Sequence, residues 1–258
     1  MAEASKSTKT RLKPIRTILI SQPKPERSPY YELEQEYGVQ IDWRPFIHVE
    51  DVSEKEFRKT RTRPDQFTAI ILTSNYAIEH FFRMCDDMRI KMPQDTKYFC
   101  LTEAIANYLQ KFIVYRKRKV FVGHRNIEDL SNYFTKHKNE KFLLPCSNLG
   151  SKNVTVWLDE NNIPYTEAMM YRTVSSDLSD LADITYDALV FFSPLGITSL
   201  FDNFPDFKQN ETRIAVFGNS TTRAVEDQNL HVNIKAPTKD APSMTMALEN
   251  YLKSSNKT

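Results

Sequence analysis

The residues of this chain best suited to chemistry are hydroxyl and amide side chains placed where a strand gives way to a helix. Ser, Thr or Asn follows an apolar run at Ser74-Asn75, Thr102, Ser147-Asn148, Ser193 and Gly218-Asn219-Ser220-Thr221. Taken singly, each is a helix cap, which needs these residue types in any case. Taken together in one cleft, they offer a second use. The unpaired backbone N–H groups of a helix start, with the helix dipole behind them, bind anions without a glycine loop. A polycarboxylate, held largely by backbone donors, suits such a cleft. The densest basic cluster, Tyr115-Arg116-Lys117-Arg118-Lys119, admits two readings. It is a solvated loop before a strand, or a positive field for a multiply negative ligand.

Other chemistries lack their residues. His48, His80, His124, His137 and His231 show no metal-ligand spacing, and HExxH and CxxC are absent. They read as surface or packing histidines. There is no GxSxG elbow. The five glycines form neither GxGxxG nor GxxxxGK[ST]. The first strand ends in Ser21-Gln22-Pro23 rather than an acidic pair, which argues against a phospho-acceptor receiver domain. Cys85, Cys100 and Cys146 are an odd, widely spaced set and read as reduced thiols. The net charge of +2 comes from the N-terminus. Residues 1–13 hold four basic residues against one acidic, so the remainder carries −1. Global charge therefore gives no case for nucleic-acid binding.

The elements that must position these groups are legible in outline. At 258 residues, 40% hydrophobic and 26% charged, the chain is globular and large enough for two domains. No apolar run reaches the length of a membrane helix. No apolar stretch follows the charged N-terminus, so a cytoplasmic location is expected. Short, nearly continuous apolar runs predict buried parallel strands at Thr17–Ser21, Ala69–Thr73, Lys97–Leu101, Lys119–Val122, Lys141–Pro145, Ala188–Phe192 and Arg213–Phe217. Amphipathic stretches predict helices at Asn75–Met84, Asn126–His137, Lys152–Glu160, Leu195–Asn203 and Thr221–Gln228. Ser28-Pro29 and Ser243 mark two further helix starts. Residues 69–78 parallel residues 188–197, and each copy is followed about 25 residues on by another strand and helix. Two copies of one α/β unit imply two similar domains, with ligands at the carboxyl ends of the strands. The half-polar segments Asp42–Val49 and Glu167–Val174 read as extended connectors.

An ordered set of motifs resembles the uroporphyrinogen-III synthase family. They are Thr73-Ser74-Asn75-Tyr76-Ala77, Phe142-Leu143-Leu144-Pro145-Cys146-Ser147-Asn148, Tyr171-Arg172-Thr173, Phe191-Phe192-Ser193-Pro194-Leu195-Gly196, Val216 to Ala224 and Ala236-Pro237-Thr238. The resemblance covers about residues 15–253. It implies an α/β fold of two similar parallel-sheet domains joined by a two-stranded β-ladder, one of them discontinuous. The expected boundaries are 14–44 plus 173–253 for one domain and 50–167 for the other. Connecting strands fall at 45–49 and 168–172, and disordered tails at 1–13 and 254–258.

The resemblance also implies an activity. The family closes the linear tetrapyrrole hydroxymethylbilane with loss of water and inversion of ring D. It uses no metal or organic cofactor. Binding would fall to Ser74, Asn75, Thr102, Ser147, Asn148, Ser193, Leu195, Gly196, Asn219, Ser220 and Thr221, in a cleft between the domains. Tyr171 would be the proton donor. The protein would act as a monomer, in transient contact with the deaminase that precedes it, and bind neither nucleic acid nor membrane. Ile105, Gln22 and Leu195 depart from the family pattern, and Thr102 stands in place of a glycine. They motivate an alternative: a catalytically silent tetrapyrrole- or polyanion-binding protein of the same fold. A two-lobed exported solute-binding protein is disfavoured by the N-terminus and the cysteines.

Overall fold

The computed structural model describes residues 12–255. The expected tails lie mostly outside that range, and what falls inside it is ordered. The Tyr251 hydroxyl donates to Lys13 O, and the last helix runs to Ser255. The strands in chain order are β1 (Thr17–Ile20), β2 (Gln40–Trp43), β3 (Ile47–Asp51), β4 (Ala69–Leu72), β5 (Lys97–Cys100), β6 (Val120–Val122), β7 (Phe142–Ser147), β8 (Tyr165–Ser175), β9 (Ala188–Phe191), β10 (Arg213–Phe217) and β11 (Val232–Ala236). The helices are α1 (Tyr30–Tyr37), α2 (Glu54–Phe57), α3 (Asn75–Asp87), α4 (Glu103–Leu109), α5 (Ser131–Lys136), α6 (Lys152–Glu160), α7 (Pro194–Asn203), α8 (Asn219–Asp227) and α9 (Met244–Ser255).

Two compact units divide the chain. Of the described residues, one holds those up to His48 and those from Val174 to Ser255; the other is Val49–Thr173. The first has a five-stranded sheet in the order β2-β1-β9-β10-β11, parallel throughout. The second has six strands in the order β3-β8-β7-β4-β5-β6, parallel from β8 to β6. Counting the first unit from β9 and the second from β4, both sheets read fifth, fourth, first, second, third. One unit is a circular permutation of the other, which is why the internal repeat begins at β4 and β9 rather than at the N-terminus.

The inner strands are buried on both faces. All four residues of β4 and of β9 are buried, as helices cover both sides. The edge strands β2 and β11 have no such run, because half their surface meets water. They carry polar residues such as Asp42, Asn233 and Lys235, and the apolar-run reading passes over them. The half-polar segment read as a connector at Asp42–Val49 divides between β2, at the edge of the first sheet, and β3. The other, Glu167–Val174, lies inside the eleven-residue β8, which pairs with β7 from Tyr165 to Tyr171. Its Ala168, Met170 and Tyr171 are buried.

Helix starts follow local chemistry. Ser28 Oγ accepts the Tyr30 N–H at 3.2 Å, so α1 begins just after Pro29. Ser243 Oγ accepts from Met246 N. The single helix expected over Asn126–His137 is instead a 3₁₀ turn, Ile127–Leu130, followed by α5. The Asp129 carboxylate turns back to the N–H groups of His124, Arg125 and Asn126 at 2.8–3.4 Å, which tightens the first turn.

Candidate active site

In the second unit an open cavity of about 620 Å³ lies at the carboxyl ends of the strands. Its walls come from the loops after β4 (Thr73, Ser74), β5 (Leu101), β6 (Arg125, Asn126) and β7 (Ser151, Lys152), with Tyr171 of β8. It spans the point between β4 and β7 where the strand order reverses, the place where open parallel sheets bind ligands. Arg125 and Lys152 bring two positive charges to its lining, against one carboxylate, Glu128. Sequence reasoning missed both cations, because neither belongs to a cluster or motif and only the loops bring them together.

Tyr171 reaches this cavity through a β-bulge. β8 slips register against β7 between Cys146 and Ser147, so Ser147 pairs with Tyr171 and Met170 is the extra residue. A regular strand would alternate Met170 and Tyr171 between faces; the bulge re-aims the tyrosine. Its ring is 9% exposed and stacks on His80, with centroids 4.6 Å apart and planes at 16°. Burial raises the phenol's pKa above the ordinary 10.0, and a hydrogen bond with Ser74 opposes that shift. Tyr171 is therefore a protonated donor at neutral pH. His80 is fixed in turn, with Nδ1 2.9 Å from Asp51 Oδ1, and burial lowers its pKa. Arg83 Nε meets the same carboxylate oxygen at 3.0 Å and its Nη2 donates to Met170 O and Val52 O. The strand carrying the tyrosine is thus pinned to α3.

Two predicted helix starts of this unit, at Ser74 and Thr102, are occupied by their own caps, whereas Ser147 ends β7 in a local turn and α6 begins later, after Ser151, without a side-chain cap. Ser74 Oγ accepts from Ala77 N at 3.1 Å, Thr102 Oγ1 from Ile105 N at 3.4 Å and Ser147 Oγ from Leu149 N at 3.2 Å. Asn75 is exposed at the first position of α3. Asn148 is held structurally: its amide donates to Thr173 O at 3.1 Å and accepts the Thr173 N–H at 2.9 Å. Ile105 is buried, and Glu103 places a negative charge in the first turn of α4. That helix start disfavours an anion. The cavity lining includes Ser74 and Tyr171 but not Asn75, Thr102, Ser147 or Asn148.

In the first unit the corresponding helix starts are open. Ser193 precedes α7 and Gly218 precedes α8, and neither makes a side-chain cap. Gly218 has φ +87°, a backbone conformation that an L side chain resists. The two helices expose Asn219 and Ser220 and leave Leu195 half-buried. Thr221 is 0% exposed, and its Oγ1 has no hydrogen-bond partner. Gly196 has a packing role, since a Cβ there would meet Phe191 Cδ1 at 3.0 Å. A cavity of about 790 Å³ in this unit lies away from these groups, toward the amino ends of its strands beside Asp187 and Arg213.

Among the described residues no group of three or more His, Cys, Asp or Glu could hold a metal ion. The three cysteines are buried and free, and burial pushes their thiols up to about 11–12.

Asp129 shapes the loop that carries Arg125. The backbone N–H groups of Arg125 and His124 hold its carboxyl below the ordinary 3.8. A depressed folded-state pKa contributes stability above the unfolded value, and that stability is lost as pH falls through the folded one. Asp129→Ala is expected to lower Tm at neutral pH, and the gap to wild type should close in strong acid. A Tm difference that stays constant from pH 7 to pH 2 would remove the carboxylate's charge from the account.

Two permuted parallel α/β units, with polar residues at the carboxyl ends of their strands, define a two-unit, parallel-sheet α/β protein. A family profile described as Uroporphyrinogen-III synthase HemD matches residues 28–246. The chain belongs to the uroporphyrinogen-III synthase family. It is 22% identical over 255 residues to a protein named uroporphyrinogen-III synthase from Chlorobaculum parvum, covering 93% of this chain and 100% of the relative. Its fold is that of the uroporphyrinogen-III synthetase structure from Helicobacter pylori, at 17% identity, TM-score 0.59, and coverage of 93% of this chain and 99% of the other. It is likewise similar to a mutant uroporphyrinogen III synthase structure from Thermus thermophilus, at 13% identity, TM-score 0.54, and coverage of 92% and 99%.

Proposed function

We propose that the protein is a uroporphyrinogen-III synthase, a lyase that closes hydroxymethylbilane with loss of water and inversion of ring D. The observation that best supports the chemistry is the buried, protonated phenol of Tyr171 on a cavity flanked by Arg125 and Lys152. The phenol donates its proton to the departing hydroxyl as general acid. Water leaves, and the electron-rich pyrrole carries the resulting positive charge. Ring closure with inversion then depends on holding the chain in one shape, which is a task of positioning. The substrate's carboxylates would engage Arg125 and Lys152 in the second unit. In the first unit, Ser193, Leu195, Asn219, Ser220 and Thr221, at the uncapped starts of α7 and α8, are the groups we assign to anion binding. In this reading the enzyme works as a cytoplasmic monomer that receives its substrate from the preceding deaminase. Among the described residues no helix is long and apolar enough to cross a membrane.

The test is a coupled assay. Porphobilinogen and a purified deaminase generate the bilane in the presence of this protein, and the oxidised products are separated by chromatography. Predominantly type III isomer is expected. Type I isomer alone, from folded protein, would overturn the reading and favour a binding-only role.

His80 is the positioning residue for Tyr171. His80→Ala is expected to lower kcat by no more than the loss expected for Tyr171→Phe, with KM nearly unchanged. His80→Phe keeps the stack and should recover most of the rate. A fall in Tm for His80→Ala with kcat intact would assign the ring to packing alone.

A further inference from the structure

The second unit contains another cavity, at the amino ends of β5 and β6. It is of about 340 Å³ and lies at the edge of the sheet opposite the Tyr171 site. We propose that it binds a small single-ring carboxylate. The inference stands on this cavity alone and not on the reaction assigned above.

Its floor is core. Cys85, Ile90, Thr96, Tyr98 and Val120 are all buried, yet they line open space. Two hydroxyls line it without a hydrogen bond, and that of Thr96 is fully buried. Thr96 is 3% exposed and its Oγ1 has no hydrogen-bond partner. Tyr98 is 5% exposed, and among the described residues its phenol also makes no hydrogen bond. Buried polar groups are ordinarily paired, so the orphaned Thr96 hydroxyl, with the unbonded Tyr98 phenol on the same cavity wall, calls for an acceptor. A carboxylate supplies two acceptor oxygens and makes the stronger, charge-assisted kind of bond.

The remaining walls favour a flat apolar body and negative charge. Phe82 stacks on Phe112 at 5.0 Å with planes at 13°, a surface for one ring edge or face. Lys91 and Arg116 line the cavity and form no ion pair among the described residues. Lys119 Nζ donates to Gln94 O. Asp86 is the one carboxylate of the lining. Burial holds Cys85 as a neutral thiol, which does not repel an anion. The volume sits at the low end of ligand cavities, which run from about 300 to 1,000 Å³, and suits one ring rather than four. This also gives the basic run at residues 115–119 a place: it edges this cavity, not the one holding Tyr171.

Isothermal titration calorimetry with benzoate and with porphobilinogen, a pyrrole carrying two carboxylates, tests the proposal. Both probes are expected to bind wild-type protein. Thr96→Val should weaken them by about fivefold or more, and Tm should not fall, because the hydroxyl has no partner to lose in the free protein. Lys91→Met with Arg116→Met should weaken binding further and flatten its salt dependence. Tyr171→Phe should leave probe affinity unchanged. Absence of binding at millimolar probe, or equal affinity in wild type and Thr96→Val, would overturn the proposal. So would probe binding lost in Tyr171→Phe, which would place the probes at the other cavity.

Discussion

Tyr171→Phe is expected to cut turnover by about tenfold or more while leaving product affinity nearly unchanged; the loss can fall short of the ~10²–10⁴-fold typical of general acids because a pyrrole-stabilised cation needs little acid assistance. The substitution is conservative where it needs to be. Phenylalanine keeps the ring stacked on His80 and keeps it buried, so β8 and its bulge should persist. What disappears is the acidic proton. The pH profile adds a second readout. Burial raises the phenol's pKa, so the wild-type rate should hold through the neutral range. It should fall only as pH climbs past the ordinary tyrosine value and the phenol ionises. Tyr171→Phe should lack that alkaline limb. Unchanged turnover in the variant would remove Tyr171 from the mechanism and leave positioning as the whole of catalysis.

Thr221→Val should separate binding from stability. In the free protein the Thr221 hydroxyl is buried and unpaired, so replacing it with a methyl of nearly the same shape should leave Tm unchanged or raise it. If the hydroxyl finds its partner in a substrate carboxylate, losing that bond costs about 1.5–3 kcal/mol. This appears as a fall in kcat/KM of about tenfold or more. Thr221 lies under the first turn of α8, so the substrate must settle into that helix start to reach it. A variant with wild-type kcat/KM would show that the orphaned hydroxyl is never used. The contrast between the units sharpens this test. The position matching Thr221 in α4 is Ile105, a buried core residue behind a capped helix start with Glu103 in its first turn. The two copies share a topology but differ at their helix starts: α7 and α8 have no side-chain caps, whereas Ser74 and Thr102 cap α3 and α4.

The repeat, the inner strands and the polar residues after them could be read directly, because each is a local pattern. Continuous apolar runs mean burial on both faces, and β4 and β9 answer to that rule without help from their neighbours. The edge strands β2 and β11 do not, since half their surface faces water and their apolar content falls below any run-based signal. Likewise the residue types at Ser74, Thr102 and Ser147 announce helix starts, but the same hydroxyl can serve its own helix or a ligand. The structure shows all three accepting from their own backbone and Asn148 clamped to Thr173.

By itself, then, the sequence determined the α/β class, the duplication and the positions where strands hand over to helices. These rest on hydrophobic periodicity and capping, which act within a few residues. Tertiary structure alone decided which of those positions are open, and that Arg125, Lys152 and Tyr171 share a cavity. Their meeting depends on parallel strand order, on a one-residue bulge in β8 and on an Asp129 turn, each of which joins residues far apart in the chain or re-aims one by a register shift. A side chain's type is local; its partners are set by what the fold brings to it.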